Sequence, residues 1–131
     1  MWTDNWIGLP YAERGRGPEA FDCLGLWLAL QRLRFGREIP DPACDMVGAV
    51  RLGVVDRYRT DFISVERAQE GDALLFTMRG RPLHLGYALS DQDMLHTLDD
   101  IDHCSRIERW RGPFWGGRLE GVSSNCWMIR P

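Results

Sequence analysis

The chain has 131 residues, of which 44% are hydrophobic and 27% charged, the size and composition of one globular domain with an apolar core. Sixteen Lys and Arg residues against nineteen Asp and Glu residues leave a formal net charge of -3, with no basic stripe along the sequence. This balance excludes the electrostatic pattern of nucleic-acid binding. We therefore predict a single domain over residues 1–131 and no nucleic-acid partner.

The N-terminal sequence has neither the basic start nor the apolar stretch of a secretory signal, and nowhere do about eighteen apolar residues run together. We expect synthesis in the cytosol and no insertion into a membrane. The four cysteines contain no C-x-x-C pair, which argues against a disulfide framework and a zinc ribbon. Their thiols are expected to be mostly reduced, with Cys44 and Cys126 in structural positions.

The first clear element is a helix predicted over residues 23–35, after a loop rich in glycine and proline. Its sequence, CLGLWLALQRLRF, is apolar on nearly all sides for two turns and then becomes amphipathic, with Gln31 opposite Leu33. Asp22 is a favourable N-cap and Gly36 a favourable C-terminal stop. We expect the first half of this helix to be buried.

The second half of the chain is rich in strands. The prediction of a further helix over 49–58 is weakened by nearby glycines. From residue 72 onward, apolar and polar residues alternate as they do in strands. The predicted strands cover residues 73–78, 83–89, 94–98, 104–109 and 125–130. The pattern indicates an α+β domain, an antiparallel meander packed by the helical N-terminal half.

Cys23 is the strongest candidate for chemistry, because it falls in the first turn of the predicted helix. Unpaired backbone N–H groups and the positive end of the helix dipole stabilise a thiolate there. The same N–H groups provide an oxyanion site for a carbonyl that the sulfur attacks. We expect the thiol to ionise below its ordinary pKa.

His84 lies on the predicted strand PLHLGYAL, on a face that it shares with Gly86 and Ala88. This face of small residues is expected to let the helix that carries Cys23 approach the sheet. If the following hairpin loop has an odd number of residues, for example 90–92, His96 faces Gly86 and lies diagonal to His84. In that register His96 orients His84, which deprotonates Cys23.

Three stretches carry a resemblance to a known family. LPYAERGRGPEAFDCLGL, EGDALLF and HLGYALSDQDMLH occur in the order and spacing of the NlpC-type cell-wall cysteine endopeptidases, and the chain most resembles the branch found with phage tail-assembly genes. The resemblance implies a papain-like α+β fold and no cofactor. It also implies that peptidoglycan stem peptides are the substrate, commonly cut between D-glutamate and the diamino acid that follows.

By the same resemblance, Cys23 matches the nucleophile, His84 the base and His96 the residue that orients the base. Tyr11 matches a tyrosine that helps to stabilise the oxyanion, and Asp22 is the residue beside the nucleophile that could position substrate. Leu24 departs from the family, in which serine usually follows the cysteine. The expected context is a protein made in the cytosol, assembled into a phage tail or contractile particle, and delivered to the cell wall from outside.

The sequence leaves two alternatives open. The chain could be an idle structural or assembly subunit of a tail tip that keeps the fold without a reactive thiol. It could also hold zinc, although the spacing of the candidate ligands does not favour a zinc site. These candidate ligands are Cys23, His84, His96, His103 and Cys104.

Charged residues near these motifs have simpler interpretations. The acidic run at Asp99, Asp100 and Asp102 lacks the ligand spacing of an EF-hand loop and is expected to be a solvated turn. Arg14 and Arg16, in the loop before Cys23, are hypothetical contacts for stem-peptide carboxylates.

Overall fold

A computed structural model of the protein describes residues 1–46, 48, 65–78, 81–100 and 102–123. Its elements are a 3-10 helix, a long helix α1, five strands and a short helix α2. In chain order they are Trp2–Trp6, α1 (Cys23–Phe35), β1 (Ala73–Met78), β2 (Arg81–Ala88), β3 (Asp93–His96), β4 (Arg106–Arg109), α2 (Pro113–Gly116) and β5 (Leu119–Ser123). All strand pairs are antiparallel, and the strand order in the sheet is β4-β3-β2-β1-β5. The expected α+β class is confirmed.

The ends of α1 follow from its capping residues, as the sequence predicts. The Asp22 side chain accepts a hydrogen bond of 2.6 Å from the Gly25 backbone N–H, and Gly36 adopts the left-handed conformation that ends the helix. The first nine residues of α1 are buried, as expected. The expected sides of Gln31 and Leu33 are wrong, because Gln31 is buried and donates to the Gly71 carbonyl, while Leu33 is 58% exposed.

The two faces of the sheet pack against different parts of the protein. Leu85, Tyr87 and Leu95 lie in one apolar cluster with α1, whereas Ala88 belongs to a second cluster on the other face. The expectation that α1 packs on the face of small residues is therefore wrong. A Cβ at Gly86 would meet the Met94 sulfur at 2.8 Å, so the small face instead makes room for neighbouring side chains.

The predicted strand at 73–78 is confirmed with the same ends, and those at 83–89, 94–98 and 104–109 are confirmed with shifted ends, whereas the one at 125–130 is not tested. That strand and the possible helix at 49–58 lie outside the described residues. Pairing of the first four strands in chain order forms the expected meander. The sequence analysis missed β5, which adds to the free edge of β1.

Among the described residues, no helix is long and apolar enough to cross a bilayer.

Candidate active site

Cys23 occupies the first turn of α1, and a loop from residues 8 to 21 folds back over this turn. The Asp22 N–H donates to the Gly15 carbonyl at 3.1 Å, which fixes the loop against the start of the helix. A Cβ at Gly25 would overlap the Gly15 carbonyl oxygen, so only glycine fits at this position. The D-C-x-G sequence therefore combines a capping carboxylate, the cysteine and the space that the loop requires.

Arg16 anchors the same loop and neutralises part of the charge beside Cys23. Its guanidinium donates to Asp22 at 2.9 Å, to Asp41 at 2.8 Å and to the Cys44 carbonyl at 2.6 Å. All of these partners belong to the protein itself. These contacts give Arg16 a structural role, and substrate binding by Arg16 or by the exposed Arg14 stays a hypothesis.

The two histidines on the sheet meet because of the register of the hairpin between β2 and β3. Tyr87 pairs with Leu95, and the Leu89 N–H donates to the Asp93 carbonyl at 2.9 Å, so the loop consists of residues 90–92. This odd-membered loop confirms the expected register. His84 Nε2 and His96 Nδ1 lie 2.8 Å apart, and both residues are 1% exposed.

Two residues that the sequence analysis did not identify complete this arrangement. His96 Nε2 lies 3.0 Å from Glu108 Oε1, and the Trp115 indole N–H donates to Glu108 Oε2 at 3.0 Å. The Trp115 ring is also stacked on the His84 ring, with centroids 5.1 Å apart. Alternation along the predicted strand at 104–109 is the one sequence signal that bears on Glu108. It could have placed Glu108 on one face, although not next to a histidine.

A cavity of about 130 Å³ brings the predicted residues together. Its lining includes four of the five predicted site residues. The fifth, His96, lies directly behind His84. The four are Tyr11, Asp22, Cys23 and His84, and the other described lining residues are Asp45, Met46, Thr97, Leu98 and Asp99.

Three buried polar atoms of the cavity's lining residues have no hydrogen-bond partner within the described ranges: Asp22 Oδ2, His84 Nδ1 and Thr97 Oγ1. Buried polar groups are usually paired, so unpaired groups around one cavity indicate a site that binds a polar molecule. His84 Nδ1 consequently makes no hydrogen bond to Cys23 in the free protein.

The thiol and the imidazole are both neutral in this environment. Burial raises the pKa of Cys23 to about 12, and the charge of Asp22 adds to the rise, while backbone N–H groups at Leu85 and in the first turn of α1 oppose it. Burial lowers the pKa of His84 well below its ordinary value of 6.5, and His96 and Arg106 contribute to the fall. The expectation of a thiol that ionises below its ordinary pKa is therefore wrong for the free protein.

Tyr11 is held at the cavity by backbone contacts of its loop. Its N–H donates to the His103 carbonyl at 2.8 Å, and it forms a bridge with Phe21 just before α1. Burial raises the pKa of the Tyr11 phenol to about 12, with Cys23 and Asp22 adding to the rise. The phenol therefore remains protonated and can donate a hydrogen bond over the physiological pH range.

The residues considered for zinc do not assemble. Within the ranges that the structure covers, no three His, Cys, Asp or Glu side chains are arranged to hold a metal ion. The facing nitrogens of His84 and His96 bond each other, and His103 pairs instead with Asp99 at 2.9 Å.

An α+β fold with a cysteine at the start of the helix that packs on the sheet, and a histidine on the sheet itself, defines a papain-like domain. The model of the NlpC/P60 family matches residues 8–124, and the chain belongs to this family.

Three solved structures share the fold at 22% sequence identity, a level at which the similarity shows the fold alone. The NlpC/p60 domain of the peptidoglycan hydrolase SagA has a TM-score of 0.65, over 93% of this chain and 92% of that one. An NLP/P60-family protein described as similar to lipoprotein, from Staphylococcus aureus subsp. aureus Mu50, has a TM-score of 0.65, over 92% of this chain and 39% of its own length. An NlpC/P60-family protein from Bacillus cereus ATCC 10987 has a TM-score of 0.67, over 91% of this chain and 36% of its own. No curated protein matches the chain.

Proposed function

We propose that the protein is a cysteine peptidase that hydrolyses peptide bonds in peptidoglycan stem peptides. Cys23 is the proposed nucleophile, His84 the base and His96 the residue that orients the base. The observation that carries this proposal is the shared cavity. Its lining residues include Cys23 and His84, whose Nδ1 has no partner among the described residues. Membership of a family whose structural relatives include a peptidoglycan hydrolase supports the substrate class.

In the proposed mechanism, the proton transfer accompanies bond formation because both groups start neutral. Cys23 Sγ attacks the substrate carbonyl carbon as its proton passes to His84 Nδ1. The protonated imidazole then gives this proton to the departing amine, leaving a thioester on Cys23. His84 next removes a proton from water, which attacks the thioester and releases the carboxylic acid product and the thiol.

The negative charge that develops on the carbonyl oxygen has donors nearby. Backbone N–H groups of the first turn of α1 already interact with the Cys23 sulfur, and the protonated Tyr11 phenol lines the same cavity. Donors that are fixed before the reaction stabilise an oxyanion without reorganisation. Asp22 Oδ2 and Thr97 Oγ1, both unpartnered among the described residues, provide further polar groups to position a stem peptide.

The test is digestion of purified peptidoglycan, with soluble products identified by mass spectrometry. We expect wild type to release peptide fragments with new termini, and Cys23→Ala to lose at least about 10³-fold in rate. Cys44→Ala, which changes a partly exposed cysteine outside the cavity lining, is the matched control and should retain activity. Equal product release by Cys23→Ala would contradict the proposal.

An idle structural subunit is a second candidate, favoured by the raised pKa of Cys23 and by the absence of a hydrogen bond from His84 Nδ1 to any described group. It predicts no product release by wild type from any peptidoglycan. Catalytic hydrogen bonds are often long or absent before substrate binds, so we prefer the peptidase.

We also propose that the protein acts from a phage tail or a related particle, after synthesis in the cytosol. Support for this context comes from the three sequence motifs and their resemblance to the tail-assembly branch. Mass spectrometry of purified particles from a host that carries the gene tests it, since the chain should be present in stoichiometric amounts. Its absence from assembled particles would contradict this context.

A further inference from the structure

A carboxylate lies behind the histidine pair, at the end away from His84 Nδ1. Glu108 is on β4, where Arg106 pairs with His96 and Glu108 pairs with Met94, so Glu108 is diagonal to His96 on the same face of the sheet. Its Oε1 is 3.0 Å from His96 Nε2. The contact therefore depends on the pairing of β3 with β4 rather than on proximity in sequence.

The Glu108 carboxylate is itself held by groups that only donate hydrogen bonds. Trp115 Nε1 donates to Oε2 at 3.0 Å, and Arg106 Nε donates to Oε1. The other end of the Arg106 guanidinium bonds Asp100, which fixes its direction. The hydrogen bond with His96, followed by those from Trp115 and Arg106, keeps the pKa of Glu108 far below its ordinary value, so the side chain is an ionised acceptor.

An ionised carboxylate at this position determines which nitrogens carry protons. Because Glu108 can only accept, the proton of neutral His96 lies on Nε2, and Nδ1 is left with a lone pair. His84 Nε2 must then donate to His96 Nδ1 across 2.8 Å. The lone pair of neutral His84 is consequently on Nδ1, its atom without a partner among the described residues.

We propose that Glu108 is a positioning residue that holds His96 and His84 in the Nε2–H tautomer, so that the lone pair of His84 Nδ1 is available at the cavity beside Cys23. The role of His84 as the base rests on the proposed function, whereas the assignment of the tautomers does not. In the reaction, the proton that His84 Nδ1 takes from Cys23 places a positive charge on the imidazole, and the chain of hydrogen bonds leads from that charge to the Glu108 carboxylate.

Two substitutions separate the hydrogen bond from the charge. Glu108→Gln removes the charge but keeps an acceptor. We expect its amide oxygen at the Oε1 position, where it accepts from both His96 and Arg106, because at the Oε2 position it would accept from Trp115 alone. Glu108→Ala removes the acceptor. Glu70→Gln and Glu70→Ala are matched controls, since the Glu70 side chain is 30% exposed against 33% for Glu108, and it accepts from Arg34 and Tyr87 rather than from a histidine.

The direct measurement is the nitrogen-15 NMR spectrum of the imidazole rings, which distinguishes protonated from unprotonated ring nitrogens without any substrate. The sequence has three histidines, and the third, His103, is solvent-exposed and pairs with Asp99, so the two buried rings can be assigned by single substitutions. We expect Nε2–H for His84 and His96 in wild type, Glu108→Gln and the Glu70 variants. In Glu108→Ala we expect a mixture of tautomers at both rings.

A pH titration in the same spectra tests the role of the charge. The charged groups that act on the two rings are Glu108, Arg106 and Asp100. Glu108 raises the pKa of both histidines toward the charged form, so Glu108→Gln should protonate the rings at lower pH than wild type, and Glu70→Gln should not. In peptidoglycan assays we expect kcat to fall about 10²-fold in Glu108→Ala with a smaller change in KM, and less in Glu108→Gln.

Unchanged tautomers in a folded Glu108→Ala, or an unchanged titration in Glu108→Gln, would overturn the proposal. If Glu108→Ala does not fold, the titration of Glu108→Gln alone decides. Expected tautomers and titrations in a wild type that releases no peptide would support the role of Glu108 and contradict the peptidase.

Discussion

The site has two halves, named for their proposed roles: the nucleophile half around Cys23 and the base half around His84 and His96. Each contains a carboxylate, and the two carboxylates have opposite effects on the charged form of the neighbouring group. In the nucleophile half, Asp22 caps α1 and raises the pKa of Cys23, which disfavours the thiolate. In the base half, Glu108 accepts from His96 and favours the charged imidazole. Arg16 pairs with Asp22, and Arg106 pairs with Glu108, so both carboxylates are partly neutralised.

The difference indicates how the two halves share the proton. Both carboxylates favour the proton-bound form of their neighbour, but burial outweighs the effect of Glu108 at His84, so both the thiol and the imidazole are neutral in the resting site. Two neutral groups fit the proposed mechanism, in which the proton transfers during attack, rather than one that starts from a preformed thiolate and imidazolium. Substitutions in either half can test this asymmetry.

The largest expected effect comes from Gly25→Ala in the nucleophile half. The added methyl group would overlap the Gly15 carbonyl oxygen and force the loop away from α1. We expect a loss of about 3 kcal/mol in the free energy of unfolding, measured by urea denaturation. Gly121→Ala is the control, because a Cβ there has no atom within 4 Å, and equal stability of the two variants would show that the loop does not need this close approach.

Tyr11→Phe tests whether the phenol acts on the transition state. We expect kcat on peptidoglycan fragments to fall about 10- to 10²-fold with little change in KM, because one oxyanion donor is lost while the ring remains. Tyr87→Phe is the comparison, since its hydroxyl bonds Glu70 on the α1 side of the sheet. A wild-type kcat in Tyr11→Phe would limit Tyr11 to packing.

Asp22→Asn separates the cap from the charge. Asparagine is an equally good N-cap, so we expect little change in stability. Removal of the charge should lower the pKa of Cys23 and raise its rate of alkylation by iodoacetamide several-fold at fixed alkaline pH. Asp41→Asn also removes a partner of Arg16 but should leave this rate unchanged. Slower alkylation in Asp22→Asn would reverse the assigned effect of the carboxylate.

The smallest expected effect concerns the pH dependence of kcat/KM. Its decline at low pH reports the protonation of His84, the proposed base. His84 must be neutral to accept a proton, and its pKa is lowered well below 6.5 by burial. As pH falls, kcat/KM should therefore stay constant through pH 6.5 and decline only at lower pH. A decline centred at or above pH 6.5 in the wild type would contradict a buried, neutral base.

The two halves also differ in how far sequence reasoning could reach. The cap at Asp22 and the helix that follows depend on residues within one turn, so a local pattern was sufficient. The His84–His96 contact could be derived because a three-residue loop fixes the register of one hairpin.

Glu108 and Trp115 could not be placed from the sequence, because the segments before β4 and α2 do not determine how these elements approach the histidines. Long-range contacts likewise overrode the helical pattern at Gln31, whose amide bonds the Gly71 carbonyl. The strand β5, with a glycine at its centre, gave too weak an alternation to be recognised.

The most direct test of the central claim is to trap the acyl intermediate. Wild-type protein is mixed with a purified stem peptide, quenched in acid within one turnover, digested and mapped by mass spectrometry. We predict that the peptide containing Cys23 gains the mass of the acyl fragment, and that this adduct is absent from Cys23→Ala. Hydrolysis that proceeds with no adduct on Cys23, or with an adduct on another residue, would contradict the account.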